Sequence, residues 1–430
     1  MRTNSKVFQF KPFSKKQRMI LNWWTDDSLV RDKNGIIADG AIRSGKTMCM
    51  SLSFVIWAME RFDGHNFGMC GKTIGSFRRN VLSVLKLTAK SRGYVLVDHR
   101  ADNMFEVRRN KAVNYFYVFG GKDESSQDLI QGITLAGAFF DEVALMPQSF
   151  VNQATARCSV SGSKLWFNCN PEGLGHWFYQ DWILKAPDRG MNYLHFGMGD
   201  NLSLSEDIKT RYRQQYSGVF YERFILGLWV IAEGVIYDMF DRQRHVKPLV
   251  RIAPLLTSKC YVSCDYGTQN PTVFLMWAKG IDHIWYCIRE YYYSGRKMQK
   301  QKTDAEYVRD MQSFIGDAKP RAVIVDPSAA SFIEALRQAG IPTIKAKNDV
   351  LDGIRQVAVC LNTDCIIYSE FCKNTIEEYG SYVWDEKAAA RGVDAPVKEN
   401  DHAMDATRYF VNTILSKKAV VRDKYKKGIS

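Results

Sequence analysis

The sequence predicts two α/β units in tandem. Three observations carry this: short β-rich runs alternate with helical stretches in the first half; a second series of β-rich runs starts at Cys260; and a stretch with Gly234, Pro248, Pro254 and the basic residues Arg242, Arg244 and Lys247 lies between them. The first unit is assigned residues 1–240, a linker 241–257, the second unit 258–415, and a basic tail 416–430.

In the first unit, strands are expected at Gly35–Ala38, Asn66–Cys70, Leu135–Phe140 and Lys164–Phe167, which suits a parallel sheet with helices on its faces. Met48–Met59 is the most apolar stretch, but far short of the roughly 20 residues a membrane-spanning helix needs, so it reads as a buried helix. In the second unit, Cys260–Asp265, Thr272–Trp277 and His283–Tyr293 are separated by short turns and predict an antiparallel meander. A strand at Ala322–Asp326, a helix from Ser331 and a strand near Ile341 follow.

Composition narrows the class. Hydrophobic residues make up 46% and charged residues 24%, values of a chain that folds. The 59 Lys and Arg against 46 Asp and Glu leave a formal net charge of +13, which favours a polyanionic partner. The ten cysteines form no CxxC pair, and several lie in apolar runs, so reduced core thiols are expected. The opening MRTNSKVFQFKPFSKKQ lacks an apolar segment of about 7–15 residues, so no secretory leader is expected.

Residues 40–47, GAIRSGKT, match G-x-x-x-x-G-K-[ST] between a β-type run and a helical stretch. In such a loop Gly40, Arg43, Ser44 and Gly45 curl backbone N–H groups around phosphates, Lys46 reaches the β and γ oxygens, and Thr47 ligates Mg²⁺. The apolar run AGAFFDE, 136–142, delivers Asp141 and Glu142 to the same sheet edge, where Asp141 would hold the metal through water and Glu142 would activate the attacking water. Asn168 and Asn170 end the next strand, either as an amide that senses the γ-phosphate or as part of a turn. Arg43 either meets transition-state charge or is simply exposed. Gln17 either reads an adenine edge or lies on a helix surface.

In the second unit, Asp265 and Asp326 each end an apolar strand, where a lone carboxylate is costly unless a metal or a donor compensates. Residues 399–410, ENDHAMDATRYF, add Asp401, His402 and Asp405, with His402 and Asp405 on one face if helical. Asp265, Asp326 and Asp405 suit Mg²⁺ or Mn²⁺, and two such ions would support phosphodiester cleavage. His402 reads either as part of that site or as a structural histidine. Glu290 either joins the site or is an exposed or packed acid. Strand, meander, strand, helix and late acidic helix match a ribonuclease H-type layout.

In this order the motifs resemble those of the large subunit of tailed-phage terminases, over nearly the whole chain. GAIRSGKT is similar to that family's Walker A, AFFDE (138–142) to its Walker B with catalytic Glu, NCNPEG (168–173) to its coupling motif, and GLWVIAEGVIYDMF (227–240) to its passage from ATPase to nuclease. Asp265, Asp326 and DHAMDATRY resemble its three nuclease motifs. The arginine that many relatives carry one position earlier, Ile42 in this chain, stands at Arg43.

The resemblance implies an additional-strand P-loop ATPase domain followed by a ribonuclease H-like nuclease domain. It also implies ATP with Mg²⁺ in the first and Mg²⁺ or Mn²⁺ in the second. Its implied partners are double-stranded DNA, a terminase small subunit, and a portal on a procapsid where copies form a ring; no membrane is involved. The implied location is the cytoplasm of a bacterial host, not the mature virion. Two other readings stay open: a helicase-like P-loop ATPase with a non-catalytic C-terminal binding module, and a nucleotide-switched assembly protein. The tail, with Lys417, Lys418, Arg422, Lys424, Lys426 and Lys427 against Asp423, either binds phosphates, docks on a protein or is solvated.

Overall fold

A computed structural model describes residues 11–267 and 270–415. The basic tail lies outside the described residues. The chain divides into two units, one of residues up to Arg213 with Tyr221–Ile231, the other of Gln214–Phe220 with the residues from Ala232 onward. Among the described residues no helix is long and apolar enough to cross a membrane.

The first unit is built on β1 (Gly35–Gly40), β2 (Asn66–Gly71), β3 (Val95–His99), β4 (Met104–Arg109), β5 (Ala112–Gly120), β6 (Gly137–Phe140), β7 (Lys164–Asn168) and β8 (Met191–Phe196). Their order is β3-β4-β5-β2-β6-β7-β1-β8. From β5 to β8 all neighbours are parallel, while β3-β4-β5 form an antiparallel meander. β7 lies between β1 and β6, so the loop-bearing and acid-bearing strands are separated by one inserted strand, the additional-strand arrangement. Parallel registers Ala38↔Asn168 and Phe140↔Phe167 bring the ends of all three strands to one sheet edge.

Helix α1 (Lys15–Asn22) is started by a capping box between Ser14 and Gln17. Helix α2 (Lys46–Arg61) follows the loop and is buried around most of its circumference, as its apolar sequence requires. At its centre Phe54 is fully buried, with ring centroids 5.1–6.2 Å from Trp57, Phe67, Phe116, Phe139 and Trp166. This aromatic cluster seats α2 on the sheet and so fixes the loop in front of it.

The second unit contains β9 (Val246–Lys247), β10 (Leu256–Asp265), β11 (Thr272–Gly280), β12 (Trp285–Tyr293), β13 (Val323–Val325), β14 (Thr343–Lys345) and β15 (Ile366–Ser369), in the order β14-β13-β10-β11-β12-β15-β9. β10, β11 and β12 are the expected antiparallel meander, and β13 joins β10 in parallel. Helices α3 (Asp304–Ile315), α4 (Ala330–Gln338), α5 (Val350–Asn362), α6 (Lys373–Ser381) and α7 (His402–Phe410) complete it. Met311, Phe332, Ile333 and Leu336 of α3 and α4 pack with Val262, Cys264, Phe274, Val323 and Val325 of the sheet.

Several expectations need correction. Residues 241–257 are not a free linker. Val246–Lys247 pairs with β15, and His245 is fully buried within the second unit. The strand expected at Leu135 begins at Gly137, the one at His283 begins at Trp285, and the one near Ile341 lies at Thr343–Lys345. β3, β4, β5, β8, β9 and β15 lie outside the expected strands. The ten cysteines are free and buried, except for the half-buried Cys158 and Cys365.

Replacing Phe54 with Ala removes the ring at the centre of the cluster, and should cost about 3–5 kcal/mol. The check is the denaturant midpoint of the first unit's transition, which should fall clearly below that of the unaltered protein.

Candidate functional site

The loop is shaped by two glycines. Gly40 has φ 118° and lies so close to β8 that a Cβ would overlap the Phe196 carbonyl; Gly45 has φ 87° and ends the loop at the N-cap of α2. Both conformations disfavour a side chain. Lys46 begins the helix with its ammonium folded back into the loop. Its Nζ donates to Gly40 O (2.9 Å), Ala41 O (2.7 Å), Ser44 Oγ (3.2 Å) and Asn170 Oδ1 (3.3 Å). Burial drives Lys46 down to about 8, against the pull of Asp39, Glu142 and Asp141.

Across the inserted strand, Asp141 faces the helix start. Its Oδ1 accepts from Thr47 Oγ1 and from Asn168 Nδ2, both at 2.9 Å. Burial pushes Asp141 up to about 6, and the charge of Glu142 adds to this; the hydrogen bonds and Lys46 oppose it. Asn168 also accepts from the Glu142 N–H at 2.9 Å, holding that residue in a left-handed turn (φ 58°) at the strand end. The loop, a hydroxyl, a buried lysine and two acids thus stand together at one sheet edge, the set of groups that a nucleoside triphosphate with a divalent cation requires.

In the second unit, the pairs Val262↔Val323, Ser263↔Ile324 and Cys264↔Val325 put Asp265 and Asp326 side by side where parallel β10 and β13 end. Asp265 Oδ2 lies 3.0 Å from His402 Nδ1 at the start of α7. Burial pushes Asp265 up to about 6, helped by Asp405 and Asp401 and opposed by the His402 hydrogen bond. For His402, burial works against the charged ring, but the bond to Asp265 and the fields of Asp265, Asp401 and Glu378 outweigh it and raise its pKa. Asp326 is likewise penalised by burial, yet hydrogen bonds from Ser328, Tyr409 and Asn348 bring it below the ordinary carboxylate value. Asp405 accepts from Arg408 Nη2 at 2.8 Å and lies 3.7 Å from Lys398 Nζ. The Tyr409 phenol is pushed up by burial and by the charges of Asp265, Asp405 and Asp326, against that of Arg408. Among the described residues no three His, Cys, Asp or Glu side chains are gathered tightly enough to form a ready ligand set. The oxygen donors nonetheless fit a hard cation by type.

The solved large terminase of a thermophilic bacteriophage is 62% identical to this chain, covering 94% of this chain and 100% of that one with a TM-score of 0.91. The chain belongs to the terminase large-subunit family. The family description "Terminase large subunit, T4likevirus-type, N-terminal" matches residues 37–244. The same thermophilic-phage large terminase in complex with ADP is 62% identical over the same shares, with a TM-score of 0.88. The large terminase subunit of Escherichia phage T5 is 25% identical over 288 residues, 64% of this chain. The chain matches 64% of the length of that curated relative.

Not every predicted residue of this terminase chain stands where its motif suggested. Gln17 is buried and not on a helix surface. Its Oε1 accepts from Ser14 N–H at 3.0 Å and its Nε2 donates to Ser44 O at 3.2 Å, so it supports the loop from α1. Arg43 is exposed at φ 58°, with its guanidinium 5.5 Å from the centroid of Tyr212. The Glu290 carboxylate turns instead to α6, where it accepts from Asn374 and Thr375. Asn170 reaches Lys46, while Asn168 is the amide that organises both acids. Arg408, Asn348 and Tyr409 were not singled out, though Arg408 lies three residues beyond Asp405, a spacing that places both on one helix face.

Phosphate beside Lys46 should restore its hold on the proton. At pH 8, nucleotide binding should therefore take up about half a proton per site, fading at pH 7 where Lys46 is already charged. Titration calorimetry in two buffers of different ionisation heat measures this, and zero uptake at pH 8 would contradict the burial of Lys46.

Proposed function

We propose that this chain hydrolyses ATP in its first unit to drive double-stranded DNA into a procapsid, and cuts DNA in its second unit to begin and end packaging. The observation that carries the motor reading is the 2.9 Å hydrogen bond from Thr47 Oγ1 to Asp141 Oδ1, which joins loop and acid across β7. Lys46 leaves its carbonyl partners to meet the β and γ phosphates. Glu142, turned out of the strand line by Asn168, orients the attacking water and accepts its proton. Thr47 and Asp141 would hold Mg²⁺, which when bound draws negative charge from the phosphate oxygens. Asn170, already on Lys46, is placed to register loss of the γ-phosphate. The ADP complex of the thermophilic-phage large terminase supports a nucleotide at this loop.

For cleavage, the supporting feature is the pair Asp265 and Asp326 on neighbouring strand ends, with Asp405 close by on α7. These three would hold Mg²⁺ or Mn²⁺, which when bound activates water and stabilises the leaving oxygen. His402 orients Asp265 and keeps a proton at Nδ1. Binding of the duplex draws on the net charge of +13 through phosphate contacts, which carry no base sequence and so suit a translocase. We assign the partners as a small subunit, a portal on the procapsid and further copies of the chain in a ring, and the place of action as the cytoplasm of a bacterial host.

The two activities should separate in the full chain. Glu142→Gln should lower ATP hydrolysis by about 100-fold or more and leave Mn²⁺-dependent nicking of supercoiled plasmid intact. Asp326→Ala should abolish nicking and leave phosphate release from ATP intact. Equal loss of both activities in either variant would overturn the assignment of one activity to each unit.

A further inference from the structure

Helix α7 starts without a cap from its own N-terminal neighbour. Asp401 occupies the N-cap position, but its side chain makes no capping hydrogen bond. The first N–H groups of a helix have no partner within the helix and need one elsewhere. They find it in Glu378 of α6, which is 4% exposed. Glu378 Oε2 accepts from the N–H groups of Ala403 (2.7 Å) and Met404 (3.2 Å), while Oε1 accepts from the Tyr292 hydroxyl (2.9 Å). A carboxylate at this end of the helix also meets the positive end of its dipole.

Glu378 is itself held from the sheet. Glu290 of β12 caps α6: its Oε1 accepts from Asn374 N and Nδ2 (3.0 and 2.8 Å), and its Oε2 from Thr375 N and Oγ1 (2.7 and 2.6 Å). Glu290 and Tyr292 are two residues apart on β12 and face the same side. From β12 the ladder runs through β11 to β10 and Asp265, which faces His402 at 3.0 Å. The circuit is therefore closed: sheet, Glu290, α6, Glu378, α7, His402, Asp265, sheet.

His402 and Asp405 both lie in the first turn of α7, the turn that frays when a helix is uncapped. We propose that Glu378 is the positioning residue of the second site, fixing the first turn of α7 and through it the approach of His402 to Asp265 and the place of Asp405. Among the described residues no hydrogen bond or ion pair joins Glu378 to Asp265, Asp326 or Asp405; its hydrogen bonds reach the site through the start of α7. The proposal rests on the nuclease reading above.

The test uses the full chain, supercoiled plasmid and Mn²⁺, with ATP hydrolysis and melting temperature measured alongside. Glu378→Ala should lower kcat for nicking by about tenfold or more, in the range of lost outer-shell partners, with KM for DNA and ATP hydrolysis unchanged. Glu378→Gln keeps an oxygen for the two N–H groups and should recover most of the rate. Hydrogen exchange at Ala403 and Met404 should quicken in the alanine variant and not in the glutamine one. Wild-type kcat with Glu378→Ala, or equal losses with Ala and Gln, would overturn the proposal. If the alanine variant does not fold, Tyr292→Phe takes its place: reduced kcat at constant KM supports the role and no change overturns it. Asp326→Ala separates the two levels, since nicking that survives there refutes the nuclease reading, while its loss beside an unaffected Glu378→Ala refutes only the role of Glu378.

Discussion

A carboxylate at the end of a buried strand has lost its water, and the rest of this structure is arranged around that loss. Asp141 and Asp265 occupy this position in the two units, and burial brings both to about 6. Their neighbours compensate only in part. Asp141 has a hydroxyl, an amide and a lysine whose own burial weakens it; Asp265 has one imidazole. A carboxylate left in this condition gains more from an arriving cation than a solvated one does. Asp326 shows the contrast. It is less buried and collects donors from Ser328, Asn348 and Tyr409, and its pKa falls instead of rising.

Strand order determines which groups can share such an edge. With β7 between β1 and β6, Asn168 ends level with Asp141 and can bridge that acid to the backbone of Glu142. Were β6 directly beside β1, no amide could stand between them. In the second unit β13 adjoins β10, so Asp265 and Asp326 meet as lateral neighbours, and the helix that completes the site must be brought in from outside the sheet. That is why α7 depends on side chains of other elements for its placement, whereas α2 starts directly from the loop it serves.

The parts legible in the sequence are those in which neighbours along the chain act together. GAIRSGKT, AFFDE and DHAMD each keep their chemistry within a few residues, and the apolar runs before Asp265 and Asp326 announce buried strands. The meander β3-β4-β5 was less visible because β3 is half-exposed and β4 carries Glu106, Arg108 and Arg109, although Asn110 at φ 55° marks its tight turn and β5 alternates in burial as a one-sided strand should. Gln17 carried a readable signal: Ser14-Lys-Lys-Gln17 is a capping-box pattern, which places the glutamine at a helix start. Glu290 carried none. Like Asp265 it is an acid on a strand of the meander, and only the arrival of α6 at its carboxylate makes it a cap. The segment 241–257 reads as a linker by its prolines and charges, but Val246 and Lys247 have the extended backbone that β15 needs as a neighbour.

The segment that closes the first unit touches both the loop and Glu172 of NCNPEG (168–173). Ile42 N–H donates to Phe224 O at 2.8 Å, Gly227 packs so closely on Gly40 and Ala41 that a Cβ there would lie 2.7 Å from the Ala41 nitrogen, and Trp229 Nε1 donates to Asp39 at 2.7 Å. Arg223, 2% exposed, lies 3.6 Å from Glu172 of NCNPEG and donates to Val230 O at 2.7 Å. Asp39 is fully buried, and the second of its oxygens meets His195 at 3.0 Å. Asp39 and Arg223 are the buried members of these contacts, and for such a group an abandoned partner costs more than the bond is worth when made. A displacement of the loop that left residues 223–230 in place would break the Ile42 bond to Phe224 O and the Trp229 bond to Asp39, and a displacement of Glu172 takes away the carboxylate beside a buried guanidinium. Residues 223–230 thus contact the loop on one side and Glu172 on the other.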